Sequence, residues 1–133
     1  MPSTVQVTAL PPARPPRVTV ERHTHVPTGR VTLRFARGVS GIDTASAPVR
    51  RASAVDETRP SGPPLTGAWT CRTHAGVVTS CASGAVRSAV FRPSDPFTAH
   101  RAYLLELNPE HTLQITDARG NPYDRDTQYF RVT

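Results

Sequence analysis

The chain has 133 residues, a net charge of +6, 37% hydrophobic residues, 14 prolines and 8 glycines. That length fits one domain with a real core and excludes two complete ones. Breakers this frequent exclude long helices, and no apolar run approaches the ~20 residues of a membrane span. Every basic residue is Arg, none is Lys, and only Arg50 and Arg51 are adjacent. Uniform Arg with abundant Ala, Pro, Thr and Val looks like a genome-wide base-composition bias. A nucleic-acid site clusters its cations and interleaves stacking aromatics. Here the aromatics are 6% and fall mostly inside strand patterns, so nucleic acid is not an expected partner.

Residues 1–15 read as a proline-rich linker or as the tail of a preceding domain. "STVQVTAL" alternates and fits a tail or an edge strand, and "PPARPP" (11–16) is a stiff extended connector. The start lacks a charged region followed by an apolar stretch, so it does not resemble a secretory signal; an exported protein would carry its signal elsewhere.

"RVTVER" predicts a strand with Val18 and Val20 inward. "VPTGR" turns, and "VTLRF" places Val31, Leu33 and Phe35 on one face, the period of two expected of a half-buried antiparallel strand. "ARGVSG" carries glycines where a bulge or turn would sit. "APVRRASAV" predicts a weak strand and "DETRPSGPP" a loop. In "LTGAWTCRTHAGVVTSCASGAVRSAVFRP", Leu65, Trp69 and Cys71 share parity, whereas "AVRSAVF" has apolar residues on both parities and its inner face stays open. "AYLLELN" aligns Tyr103, Leu105 and Leu107; "HTLQITD" puts Leu113 and Ile115 inside; "TQYFRVT" closes with Phe130 and Val132. The expectation is an all-β fold of about seven or eight strands, an antiparallel β-sandwich with Greek-key connections.

Cys71 and Cys81 are equidistant from Gly76. A hairpin folded about that glycine places them opposite one another, within reach of a cross-strand disulfide. Two buried free thiols are the bland alternative; a metal site lacks a second ligand pair. The disulfide is favoured, and with it an oxidising compartment.

Catalysis finds little support. No spacing among the ten carboxylates singles out an acid–base pair, and no nucleophile elbow or phosphate-cradling glycine loop is present. No cofactor is implied. His23 and His25 form a His-x-His on a strand, where an exposed pair is the plainer account than a metal site. His74 belongs to a turn, and His100 and His111 to a turn and a strand start. Asp117, Asn121, Asp124 and Asp126 could offer oxygens to Ca²⁺, but their spacing departs from the EF-hand loop and Pro122 stiffens it. A turn is the better reading, with Gly120 and Asn121 suited to positive φ and Asp117 capping backbone N–H groups.

Taken in order, "VPTGRVTLRFARGVSGID", "VFRPSDPFTAHRAYLLEL", "ITDARGNPYD" and "YFRVT" resemble bacterial Ig-like domains of secreted and cell-surface proteins, the SbsA-type and Big-type modules. The resemblance covers residues 16–133. It rests on the strand from Val31 to Ile42, on Phe91, Pro93, Phe97 and Tyr103, and on Asp117, Gly120, Asn121 and Pro122 as a structural turn. Trp69 with Cys71 and Cys81 looks like a variant with an extra hairpin bridge, and Arg37 departs from the acid or small residue usual there. The resemblance implies an immunoglobulin-like sandwich with no catalytic, cofactor or metal residues. It also implies an extracellular or cell-surface setting, with neighbouring domains of the same polypeptide as partners. The expected role is a spacer or adhesive stalk; the alternative is a module that binds a cell-surface glycan or protein at a loop end, with Trp69, Tyr123 and Tyr129 as the aromatics available. Tyr103 is expected to be a corner tyrosine.

Overall fold

A computed structural model describes residues 18–109 and 114–133. The proposed strand and connector within residues 1–16, together with Leu113 and His111, lie outside the described residues. Among the described residues ten strands form, in chain order β1 (Val18–Val20), β2 (Val31–Ser40), β3 (Val49–Ala52), β4 (Pro60–Ser61), β5 (Gly67–Arg72), β6 (Val78–Thr79), β7 (Val86–Pro93), β8 (Ala102–Leu107), β9 (Thr116–Asp117) and β10 (Asp126–Arg131). The excess over seven or eight comes from two-residue strands. One of them, β4, lies inside the predicted 56–64 loop.

Two antiparallel sheets face each other. The first runs β1-β2-β7-β5-β6, with β9 also on β2; the second runs β10-β8-β3-β4. Neighbours within each sheet are often distant in sequence, so the chain repeatedly crosses between layers, as a Greek-key sandwich requires. A parallel bridge from Val26 to Val132 stitches the segment after β1 to the end of β10.

The inner faces follow the alternation of the sequence. Val31, Leu33 and Phe35 on β2, Tyr103, Leu105 and Leu107 on β8, and Phe130 with Val132 are all buried. β2 and β7 hold regular register from Val31↔Phe91 to Arg34↔Ser88, then resume at Val39↔Val86. Residues 35–38 of β2 therefore stand against Arg87 alone. The Arg87 Nε donates to the Phe35 carbonyl at 2.9 Å, filling the gap in the ladder. Across this bulge β7 changes parity: Ala89 and Phe91 face the core at odd positions and Val86 at an even one, all three buried. That is why both parities of "AVRSAVF" are apolar.

An aromatic chain organises the core at one end. Phe97 lies 4.7 Å from Tyr103, 5.5 Å from Phe130 and 6.5 Å from Phe91 by ring centroids. Tyr103 and Phe130 stack at 5.5 Å with planes 14° apart. Trp69 packs on Phe91 at 5.3 Å, a core-rim position rather than an exposed platform.

The second sheet has an apolar element on its outer side. Leu104 points away from the core by alternation, yet is buried between its register partners Arg50 and Tyr129. The loop between β3 and β4 reaches over β8, where Glu57 takes a two-pronged contact from the Arg131 Nη2 at 2.6 and 2.7 Å.

Candidate functional site

The cysteines form one disulfide, with Cα atoms 5.3 Å apart, but not by direct opposition. Cys71 pairs with Thr79 and Arg72 with Val78, so the hairpin is centred on residue 75, one short of Gly76. Cys81 lies two residues past its expected partner position, in the turn beyond β6. Cys71 is buried against the core, so the bond fastens a short edge hairpin to the sandwich interior. The Cys81 carbonyl also accepts N–H bonds from Gly41 (2.8 Å) and Ile42 (3.4 Å). The staple thus anchors the end of β2 as well as the hairpin.

At that end, Asp43 caps a tight turn. Its Oδ1 accepts from the N–H groups of Ala45 (2.9 Å) and Ser46 (2.7 Å). Ser46, fully buried, donates its hydroxyl to the Gly41 carbonyl at 2.6 Å and accepts from the Asp43 N–H at 2.9 Å. Gly41 has φ +91°, and a Cβ there would collide with the Gln114 carbonyl, so only glycine fits.

The final hairpin is built as a capped turn. Oδ1 of Asp117 accepts from the N–H groups of Arg119 (2.8 Å) and Asn121 (3.0 Å), while Oδ2 accepts from the Asn121 side-chain amide (3.2 Å). These bonds, led by the Asn121 N–H, hold the Asp117 carboxyl below the usual carboxylate range despite some opposing desolvation. Gly120 takes positive φ (+85°); Asn121 does not. Asp126 spends its two oxygens on the Thr127 N–H and the Gln128 amide. Among the described residues, no three His, Cys, Asp or Glu side chains converge as a metal site. Beside this hairpin, Tyr123 is buried against Phe35 at 6.2 Å, and desolvation, reinforced by Asp117, pushes its phenol well above the usual range.

A buried amide that the sequence did not announce holds the hairpin down. Asn108 is 2% exposed. Its Nδ2 donates to the carbonyls of Ile115 and Tyr123 at 3.1 Å each, and its Oδ1 accepts from the Ile115 N–H at 3.0 Å. Its φ of 47° is left-handed, a conformation asparagine tolerates better than most residues. Ile115 is fully buried as expected, but it sits in a bend before β9, not on a strand.

Tyr103 accepts a hydrogen bond from the Thr98 N–H at its hydroxyl, 2.7 Å, tying the β7–β8 crossing to the sandwich. His23 and His25 are not strand residues. They occupy the turn after β1, where the His23 carbonyl accepts from the Arg131 N–H and the His25 ring bonds Thr24. A cleft of about 280 Å³ opens beside this turn, bordered by His23, Glu57, Ala102, Tyr129 and Arg131. Of the three candidate ligand-binding aromatics, Tyr123 is buried and Trp69 packs on the core, while Tyr129 is 47% exposed at this cleft.

No family model matches the sequence, and no curated protein matches it. Among solved structures, the chain superimposes on the surface layer protein SbsC, domains 1–6, with a TM-score of 0.54 at 12% identity. The likeness is one of fold. It covers 87% of this chain and 14% of that one, so a unit of this size is a small part of that multi-domain protein.

Proposed function

We propose that this chain is a non-catalytic, Ig-like structural module of a larger exported bacterial protein, spacing or displaying its neighbours at the cell surface. The fold shared with a multi-domain surface layer protein carries this reading. Two features of the chain itself support it. The disulfide matches an oxidising compartment, and Asp117 and Asn121, two of the residues considered as cation ligands, are engaged in shaping a turn. The mechanical logic is a sandwich fastened at three places: the edge hairpin by the disulfide, the last hairpin by Asn108, and the β7–β8 crossing by Tyr103. The domain is taken to span residues 16–133, with 1–15 as a proline-rich linker or the tail of a preceding domain. Blotting fractionated source cells with an antibody against this domain tests the reading. A species larger than 14.4 kDa in the surface fraction is expected; a 14.4 kDa cytosolic species contradicts it.

A second reading, adhesion to a glycan or protein, draws on one observation: exposed Tyr129 beside the cleft under the Glu57–Arg131 contact. Loss of binding to a glycan array on Tyr129→Ala would support it, and an array without a hit would remove its glycan half.

A further inference from the structure

The two outer faces of the sandwich differ in charge. On the four-stranded sheet, alternation sends Arg50 and Arg131 to the outer face, and each meets a carboxylate: Arg50 lies 3.3 Å from Glu106, and Arg131 lies 2.6 Å from Glu57; Arg51, of the opposite parity, is exposed and has no ion pair among the described residues. On the other sheet, alternation sends Thr32 and Arg34 (β2), Ser88 and Arg92 (β7), and Thr70 and Arg72 (β5) outward. Register aligns them. Arg34 and Arg72 both pair with Ser88, giving a cross-strand row with two guanidinium groups flanking a hydroxyl. The next row is Thr32, Val90 and Thr70, and beyond it Arg92 stands opposite Ala68. With strands ~4.8 Å apart, Arg34 and Arg72 are anchored roughly 10 Å from each other. Glu21, whose N–H donates to the Thr32 carbonyl, ends the Thr32 row and pairs with Arg34 at 3.4 Å; no other carboxylate lies within these rows, and Arg72 and Arg92 have no ion pair among the described residues. Arg72 spends one donor on the Gly76 carbonyl, leaving most of its fork available. Arg92 has no side-chain partner among the described residues.

We propose that this face, centred on Arg34, Arg72 and Arg92, binds an acidic polysaccharide. A flat field of guanidinium groups interleaved with hydroxyls suits a polymer carrying both negative charge and many hydroxyls. Single-stranded nucleic acid is disfavoured because no aromatic side chain lies on these rows for bases to stack on. The inference rests on the charge of the face and is independent of the structural role above: a module that fails to bind can still be a spacer.

The test uses the purified chain on immobilised dextran sulfate, with uncharged dextran as the reference surface and a single-stranded oligonucleotide as competitor. Retention on dextran sulfate and none on dextran is expected. The Arg34→Gln/Arg72→Gln/Arg92→Gln variant should bind at least tenfold more weakly, and the slope of log affinity against log salt should flatten by roughly two to three. Arg51→Gln/Arg101→Gln/Arg125→Gln removes the same charge outside the strands of this face and should change affinity less than threefold. Arg92→Gln alone breaks no hydrogen bond or ion pair among the described residues and should shift elution in the same direction as the face triple. Equal losses in the two triple variants, absence of retention, or tighter binding of the oligonucleotide would each overturn the proposal.

Discussion

Replacing Asn108 with glycine or alanine isolates the contribution of one buried amide. Either change removes three hydrogen bonds. The Ile115 N–H loses its acceptor in a fully buried position, while the Ile115 carbonyl keeps the bond from the Tyr123 N–H. One orphaned donor costs about 1–3 kcal/mol and each further lost bond about 1, so Asn108→Gly should cost about 3 kcal/mol. Asn108→Ala should cost about 1 kcal/mol more, because a Cβ is strained at φ 47° and glycine is not. Urea unfolding followed by Trp69 fluorescence measures both. With m of about 2 kcal/mol/M, the glycine variant should unfold at a midpoint lower by about 1.5 M. A shift under about 0.3 M, corresponding to ~0.6 kcal/mol, would refute the reasoning, since the amide would then not be holding the last hairpin. Equal midpoints for the two variants would remove the backbone part of the account.

Tyr103→Phe keeps the ring stack on Phe130 but leaves the Thr98 N–H without its acceptor, and thermal melting should report a loss of about 1–2 kcal/mol. Replacing both cysteines with serine opens a link of sequence separation 10 and should cost about 3 kcal/mol in the chain-entropy treatment, read from denaturant curves in the absence of reductant. Asp117 has a depressed folded-state pKa, so its contribution is complete above its unfolded value of about 3.9 and is lost as pH falls through the folded value. Wild type should therefore lose stability relative to Asp117→Asn as a buffer series descends below about pH 4, and parallel profiles would contradict the capped turn.

The long strands were legible because their alternation is undisturbed: Val31, Leu33 and Phe35 on β2, and Tyr103, Leu105 and Leu107 on β8 fell on the core face as the period of two requires. The β7 pattern was not, because the bulge opposite Arg87 turns that strand over part-way along. Strands β4, β6 and β9 are two residues long, too short for any periodicity, and exist only through their partners. The hairpin centre was misplaced by one residue, which no composition signal distinguishes. His-x-His alternates like a strand but follows β1 into a turn, marked by Arg22 at φ 53°. Asn108 and Ser46 read as ordinary polar residues, because their function depends on backbone groups brought to them by the fold. Residues 117–121 were legible as a turn, since an Asx cap followed by glycine is a local arrangement.

The disulfide in living cells tests the central claim most directly. Intact source cells are treated with a membrane-impermeant maleimide, with or without prior exposure to a membrane-impermeant reductant, and the mass of the domain is then measured. An exported, stapled module should carry no label without reductant and two labels, on Cys71 and Cys81, after it. Thiols that are free from the outset and reached only after lysis would contradict the account.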